Sequence, residues 1–221
     1  MAEKEVIGKI TFLGPRLSFA SLFEMNEQKQ DDGTVRLTWK ANFLFPKDKL
    51  KGMVAVYKGK RMPALEAMRA AKAEVMAKKW GDDPKKHPKI KPDRICWRDG
   101  DEESWDGYPG CWYISANAQP ADRPKVVTNR KDGNGHWIEA EPGGKAAPYA
   151  GCYVNATIVV WAQDNEHGKR INAQVKAVQF FKDGEAFGAA AVNPDDEFTD
   201  DMAGEVGGDF VEDSEDEDSM V

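Results

Sequence analysis

The strongest constraint on this chain is the separation of its charges along the sequence. Residues 195–221 hold thirteen of the 38 acidic residues, no Lys or Arg, and few apolar side chains. Such a segment cannot bury enough apolar surface to offset its ordering entropy, so we expect it to be disordered. The sequence therefore predicts one folded domain, residues 1–194, followed by an acidic tail, residues 195–221.

The charge of the folded part decides which partners are compatible with it. The whole chain has a formal charge of −7, which by itself would argue against a polyanionic partner. In residues 1–194, however, all 31 basic residues stand against 25 acidic ones, a net charge of +6. A basic body with an acidic tail is compatible with nucleic-acid binding.

Other classes of protein are disfavoured by simple patterns. No run of about eighteen apolar residues is present, so we expect no membrane span. The N-terminal residues lack the apolar core of a signal peptide, so we expect no export. Cys96, Cys111 and Cys152 are an odd number without close spacing, which favours reduced thiols over a disulfide framework.

Alternating apolar and polar side chains predict a mainly β fold. In residues 34–45, for example, Trp39, Ala41 and Phe43 alternate with Lys40 and Asn42, the period of a half-buried strand. A turn is expected at Gly14-Pro15, between the first two strand candidates. The candidates are residues 6–13, 17–23, 34–45, 111–118, 151–163 and 171–181, with a short hairpin around 125–127 and 136–139.

One helix is predicted between Pro63 and Trp80. Pro63 suits a first helical turn, strong helix formers fill the interior, and Gly81 followed by Pro84 ends it. Its apolar stripe is expected to pack on the sheet. The stripe consists of Leu65, Met68, Val75, Met76 and Trp80.

Signals of catalysis are weak. His87, His136 and His167 lie in polar, turn-like surroundings without the spacing of a metal site. Gly59-Lys60 and Gly133-Asn134-Gly135 lack the context of a phosphate-binding loop. We therefore expect no enzyme, no metal and no cofactor.

Strand faces give a better signal, for binding. Alternation places Trp161 on the polar face of the strand 151–163 and Tyr113 on the polar face of 111–118. Exposed aromatic rings among cationic side chains suit single-stranded nucleic acid, whose bases stack for about 1–3 kcal/mol each. Alternatively, both rings cap a second small core under the long loops. Alternation alone does not separate these interpretations.

Two further sets of residues belong to the binding hypothesis. A disordered polyanion tethered to a basic groove would compete there with phosphate. The candidate phosphate contacts are Arg16, Arg36, Lys40, Arg98, Lys125 and Lys176. The candidate competitor and partner-binding residues of the tail are Asp209, Phe210, Glu212, Asp213, Glu215, Asp216, Glu217 and Asp218.

Seven segments together resemble a known family. The matching segments are RLSFASLFEM (16–25), VRLTWKANFLFPKDK (35–49), KKWGDDP (78–84), WRDGDEES (97–104), YPGCWYISANAQPADRPKVV (108–127), YAGCYVNATIVVWAQDN (149–165) and VQFFKDGEAFG (178–188). In this order they resemble the replicative single-stranded-DNA-binding proteins of tailed phages.

The resemblance implies an OB-fold-type barrel of five or six strands with one helix packed on it. It implies coating of single-stranded DNA during phage replication and recombination in the host cytoplasm, with the tail contacting replication proteins. Trp161, in VVWAQ, matches a base-stacking position, and the CWYIS strand containing Tyr113 matches part of the groove. Related tails often end in an aromatic residue, whereas this chain ends Asp218-Ser219-Met220-Val221 with Phe210 further in.

Two other functions remain open from the residues. A protein-interaction module could use the tail to recruit basic partners and the aromatic face to bind a peptide. A nuclease would need clustered acids for Mg²⁺, whereas the carboxylates of residues 1–194 fall mainly in turns. No motif sets the oligomeric state, and a homodimer is one assembly compatible with the sequence.

Overall fold

The fold is a single sheet with one helix packed against it. A computed structural model describes residues 6–30 and 32–188, which form ten strands and one α-helix, α1 (Ala64–Trp80). The mainly β class with one helix is confirmed. The strands are β1 (Lys9–Lys29), β2 (Val35–Pro46), β3 (Val54–Tyr57), β4 (Lys60–Pro63), β5 (Trp97–Asp99), β6 (Cys111–Ala118), β7 (Lys125–Lys131), β8 (Trp137–Glu139), β9 (Tyr153–Asn165) and β10 (Gly168–Lys182).

The strands follow the order β5-β6-β2-β1-β9-β10-β7-β8, and β3 and β4 extend from β1. All these pairs are antiparallel except β7 with β10. Strand ladders do not close the sheet into a ring within the described residues. The sheet also holds more strands than the five or six predicted, because β3, β4 and β5 are only three or four residues long and give little periodic signal.

The turn predicted at Gly14-Pro15 is wrong. β1 runs through both residues as one strand of 21 residues. Its register with β9 shifts between Leu13 and Arg16, so the Gly-Pro pair sits at an irregularity of the ladder. A bulge accommodates proline, which lacks an N–H donor, and lets a long strand bend without ending.

The helix begins one residue after Pro63 and ends at Trp80, as predicted, and the N–H of Gly81 donates to the Ala77 carbonyl oxygen at 2.8 Å. Its buried face differs from the predicted stripe. Alanine dominates it, while Leu65, Met76 and Trp80 are only partly buried. Small side chains let a helix lie close to a sheet. The buried helical residues are Ala64, Ala67, Met68, Ala71 and Val75.

Two apolar clusters lie on opposite sides of β2 and β6. The main core fills the space between one face of the sheet and α1, with Phe12 and Phe45 meeting edge to face at 5.0 Å between ring centroids. The second cluster covers the other side of the two strands. It comprises Leu44, Tyr108, Cys111 and Tyr113, with Phe187 packed against them.

The C-terminal predictions concern residues beyond 188. The predicted domain boundary at residue 194 and the acidic tail, 195–221, lie outside the described residues. Within the part of the chain that the structure describes, no helix is long and apolar enough to cross a membrane.

Gly8 joins the start of β1 to β9 and to the helix, and this gives a stability prediction. At φ +74° a Cβ on Gly8 would lie 2.2 Å from the Val160 carbonyl oxygen and 2.9 Å from Val75 Cγ1. Gly14 has a similar φ of +79° but open space around it. Gly14→Ala should therefore cost about 1–2 kcal/mol of backbone strain. Gly8→Ala should cost about 1–3 kcal/mol more through overpacking.

Urea unfolding of both variants measures the difference. Because the backbone strain is matched, the additional loss in Gly8→Ala reports the close approach of β1, β9 and α1. Equal unfolding midpoints for the two variants would contradict this packing.

Candidate nucleic-acid interface

A two-residue segment, Ile95–Cys96, joins β6 to β10 where the strand ladders leave the sheet open. Ile95 forms an isolated parallel bridge with Ile171. The N–H of Cys96 donates to the Ile171 carbonyl oxygen at 2.8 Å, and the N–H of Ser115 donates to the Cys96 carbonyl oxygen at 3.0 Å. We call this segment the seam. It links two strands that do not pair with each other.

A groove of about 890 Å³ runs along the seam. Its walls come from the polar faces of β2 and β6 on one side and of β9 and β10 on the other. Amide side chains are prominent in it, and they can donate to or accept from many partners without requiring one. These amides include Asn117, Gln163, Asn172 and Gln174.

Trp161 is the exposed aromatic residue of the groove. The alternation predicted for β9 is present, because Val154, Ala156, Ile158 and Val160 are all fully buried. Trp161 follows on the opposite face, 44% exposed, and is in register with Asn172 of β10. Its ring therefore offers an accessible apolar surface in a polar groove.

Four arginines line the same groove as Trp161: Arg36, Arg94, Arg98 and Arg170. None of the four forms an ion pair with a carboxylate among residues 6–30 and 32–188. The Arg98 Nε donates to the Ile95 carbonyl oxygen at 3.3 Å, which ties this side chain to the seam. Guanidinium groups that lack a carboxylate partner make the groove attractive to anions.

Sequence reasoning identified Arg36 and Arg98 but missed the other two. Arg170 lies two residues before Asn172 on the polar face of β10, so the same alternation extended by one step would have found it. Arg94 ends a short 3₁₀ helix, Pro92–Arg94, inside a long connection. No periodic pattern there indicates which way its side chain points.

Among the described residues, the groove lining contains one carboxylate, Asp122, which is already engaged. It accepts a hydrogen bond from Gln174 Nε2 at 3.0 Å and lies 3.8 Å from the Lys176 ammonium. Lys176 itself is outside the lining, and its ammonium faces the Asp122 carboxylate.

The prediction that Tyr113 lies on an open polar face is wrong. Its side chain does point away from the main core, but it is only 1% exposed. Residues of the connection that precedes β6 cover it: its ring lies 4.9 Å from that of Tyr108, and its hydroxyl donates to the Glu103 carboxylate at 2.6 Å. Alternation gives the direction of a side chain but not what folds over it. Tyr113 belongs to the second small cluster, the alternative reading of the sequence.

Arg16 is also placed differently from expectation. Its guanidinium donates to the Gly151 and Glu185 carbonyl oxygens at 3.1 and 2.6 Å and lies 4.2 Å above the Phe187 ring. Through these contacts, Arg16 fastens the chain that follows β10 to β1. The arginine therefore has a structural task away from the groove.

The remaining predicted cations lie outside the groove lining. Lys125 is exposed at the start of β7, where it is in register with Ala177. Lys40, on β2, is the cross-strand neighbour of the groove residue Asn117 on the same face of the sheet. Its ammonium lies 5.5 Å from the Phe19 ring centroid. The predicted tail residues lie outside the described part of the chain.

Among residues 6–30 and 32–188, no group of three or more His, Cys, Asp or Glu side chains could hold a metal ion. His167 lines the groove. The thiols of Cys96, Cys111 and Cys152 are buried and unpaired.

Comparison with known proteins identifies the family. A family model described as "Enterobacter phage Enc34, ssDNA-binding protein" matches residues 6–211. The chain belongs to this Enc34 family. The resemblance inferred from the sequence segments is therefore confirmed.

Relatives cover nearly the whole chain. "Putative protein p50" of Acyrthosiphon pisum secondary endosymbiont phage 1 is 37% identical over 196 residues, covering 87% of this chain and 93% of the relative. The Enc34 single-stranded DNA-binding protein in complex with ssDNA has a TM-score of 0.59 at 24% identity, over 84% of this chain and 96% of that one. A second structure of the Enc34 protein has a TM-score of 0.57 at 24% identity, covering 88% of this chain and 96% of that one. These similarities show a shared fold.

Burial predicts low reactivity for the thiols of Cys96, in the seam, and Cys152. Burial raises the pKa of Cys96 to about 12 and that of Cys152 to about 11. Both thiols are therefore protonated and inaccessible in the folded protein at pH 8. A disulfide reagent should label them much more slowly than it does in urea, where the pKa returns to about 8.5. Mass spectrometry of labelled peptides assigns each site, and rapid labelling of Cys96 in native buffer would contradict a closed seam.

Proposed function

We propose that this protein binds single-stranded DNA in the seam groove without sequence preference. The observation that carries the proposal is the combination of an exposed Trp161 with four arginines that have no carboxylate partner in the described chain. The Enc34 relative, solved in complex with ssDNA, supports the same ligand for this fold.

Each group of the groove has a separate task in this proposal. Trp161 stacks on a base, and since every base has a π-face, stacking tolerates any sequence. Arg36, Arg94, Arg98 and Arg170 meet phosphates, which supplies affinity that falls as salt rises. The amides Asn172 and Gln174 hydrogen-bond to sugars or base edges along the strand. We propose a binding protein and not an enzyme, because the tasks assigned to these groups are stacking, phosphate contact and hydrogen bonding, and none of these is a chemical step.

The acidic tail acts in this proposal as a competitor and a recruiter. Its thirteen carboxylates, tethered to the domain, compete with phosphates for the arginines at a high effective concentration. When DNA occupies the groove, the tail becomes available to replication proteins with basic surfaces. The setting proposed is phage DNA replication and recombination in the cytoplasm of the bacterial host.

The stacking role predicts the effect of Trp161→Ala. Loss of one stacked base should weaken binding to oligo-dT by about five- to 150-fold, the equivalent of about 1–3 kcal/mol. Trp137→Ala is a matched control because Trp137 is also an exposed strand tryptophan, 50% exposed, but lies on β8 outside the groove. Fluorescence anisotropy of labelled oligo-dT measures both. If both variants weaken oligo-dT binding equally, or if neither weakens it, Trp161 is not part of the site.

The phosphate role predicts a change in salt dependence. Arg170→Gln keeps a polar side chain in the groove but removes one charge. The slope of log affinity against log salt concentration should become shallower by about 0.7, the value for one phosphate contact on a single strand. Arg61→Gln, on the exposed edge strand β4, is the charge-matched control. An unchanged slope for Arg170→Gln would place the phosphates elsewhere.

The competitor role predicts that removing the tail raises affinity. A protein ending at Pro194 should bind oligo-dT more tightly than the full chain at low salt. The gain should vanish at about 1 M salt, where the Debye length is about 3 Å and interactions between exposed charges are largely screened. A full-length variant with all thirteen acids of 195–218 changed to Asn and Gln separates charge from chain length. It should bind like the truncated protein. Unaltered or reduced affinity in both would refute competition.

A further inference from the structure

Two exposed aromatic side chains lie together on the outer face of the sheet, outside the groove lining. Phe19 is 44% and Trp105 42% exposed, and their rings meet edge to face with centroids 5.0 Å apart. Tyr108, which is fully buried, lies beneath both, with ring centroids at 5.9 Å from Phe19 and 5.0 Å from Trp105. We call Phe19, Trp105 and Tyr108 the aromatic patch.

Buried contacts hold the patch in place. Asn42 Nδ2 donates to the Tyr108 hydroxyl at 2.6 Å, and the Tyr113 ring backs that of Tyr108 at 4.9 Å. Asn42 is itself 2% exposed. Because the supporting ring is buried and hydrogen-bonded, the two exposed rings lose little further freedom when a ligand packs on them. Such preorganised apolar surface favours binding.

The backbone at Phe19 is strained. Its φ of +43° lies in the left-handed region, which a bulky residue rarely adopts. The strain sits where the register between β1 and β2 shifts, between Ser18 and Ser21. Its result is an apolar ring turned outward while its neighbours Leu17 and Ser18 are buried. Strain of this kind concentrates at functional sites, because the rest of the structure must compensate for it.

The patch is continuous with the seam groove. Lys40, whose ammonium lies 5.5 Å from the Phe19 ring centroid, is in register with the groove residue Asn117. On the other side of β6, Arg98 of the groove is in register with Tyr113, which backs the patch. A strand leaving the groove between Asn117 and Arg98 therefore reaches the patch along the same sheet face, with Lys40 beside its path.

We infer that Phe19 and Trp105 form a second base-stacking position for the same single strand of DNA, with Lys40 contacting a phosphate between the patch and the groove. This inference rests on the proposed function of the groove. The ligand chemistry is that of a flexible polyanion bearing π-faces: stacking surface and a cation recur together at the patch as they do at Trp161. The patch lengthens the DNA-binding site, and stacking on it does not depend on the base sequence of the DNA.

Variants of the patch test it with a labelled oligo-dT of about 16 nucleotides, the upper end of the site size of a single OB domain. Trp105→Ala and Phe19→Ala should each weaken binding about five- to 150-fold, and Trp137→Ala should not change it. Trp161→Ala serves as the reference for the groove. If both patch variants bind like the unsubstituted protein while Trp161→Ala binds weakly, the patch is not a DNA site and the proposed function stands.

A second measurement needs no substitution and covers the case in which a variant fails to fold. Irradiating the unsubstituted protein with an oligonucleotide of bromodeoxyuridine forms covalent links to aromatic residues in contact with bases, and peptide mass spectrometry locates them. Links at residue 19 or 105 as well as 161 support the second position. Links at 161 without any at 19 and 105 overturn it. If the unsubstituted protein does not bind the oligonucleotide at all, the proposed function itself fails.

Discussion

The architecture depends on two backbone hydrogen bonds made by one residue. Cys96 donates to Ile171 on one side and accepts from Ser115 on the other, and thereby spans the gap between β10 and β6. Unpaired strand edges attract other chains and water, so a folded domain benefits from covering them. Because a short segment and not a full strand covers this gap, the polar faces of four strands converge over it. The groove is thus a direct consequence of how the sheet is joined.

Electrostatics and stacking divide the work of the proposed interface. Arginines that lack carboxylate partners supply attraction that depends on salt, while aromatic rings supply attraction that does not depend on charge. Some lysines, by contrast, are paired with acids, as Lys47 is with Asp99 and Asp101. An acidic tail outside the domain then adjusts how easily a polyanion reaches them. The net charge of −7 hides this division, because it sums two segments of opposite sign.

Local periodicity predicted much of this fold and part of its site. β2, β6, β9 and β10, the helix and the outward direction of Trp161 all follow from alternation or capping, which act over a few residues. Tyr113 was assigned wrongly because its burial depends on Tyr108 and Glu103, which reach it through a loop. Arg94 and the seam depend on contacts across more than seventy residues. Phe19 stood within a recognised strand candidate, but its outward turn arises from strain that no sequence period encodes.

Amide hydrogen exchange with and without oligo-dT tests the central claim most directly, because it reports where the ligand acts on the whole folded domain. The account predicts slower exchange on binding at residues 94–98, at 161–163 and at 170–174, where the seam and the groove walls meet. Exchange in the helix, 64–80, and in the hairpin of β7 and β8 should be unchanged. Protection confined to the helix or the hairpin, with none at the seam, would contradict the account.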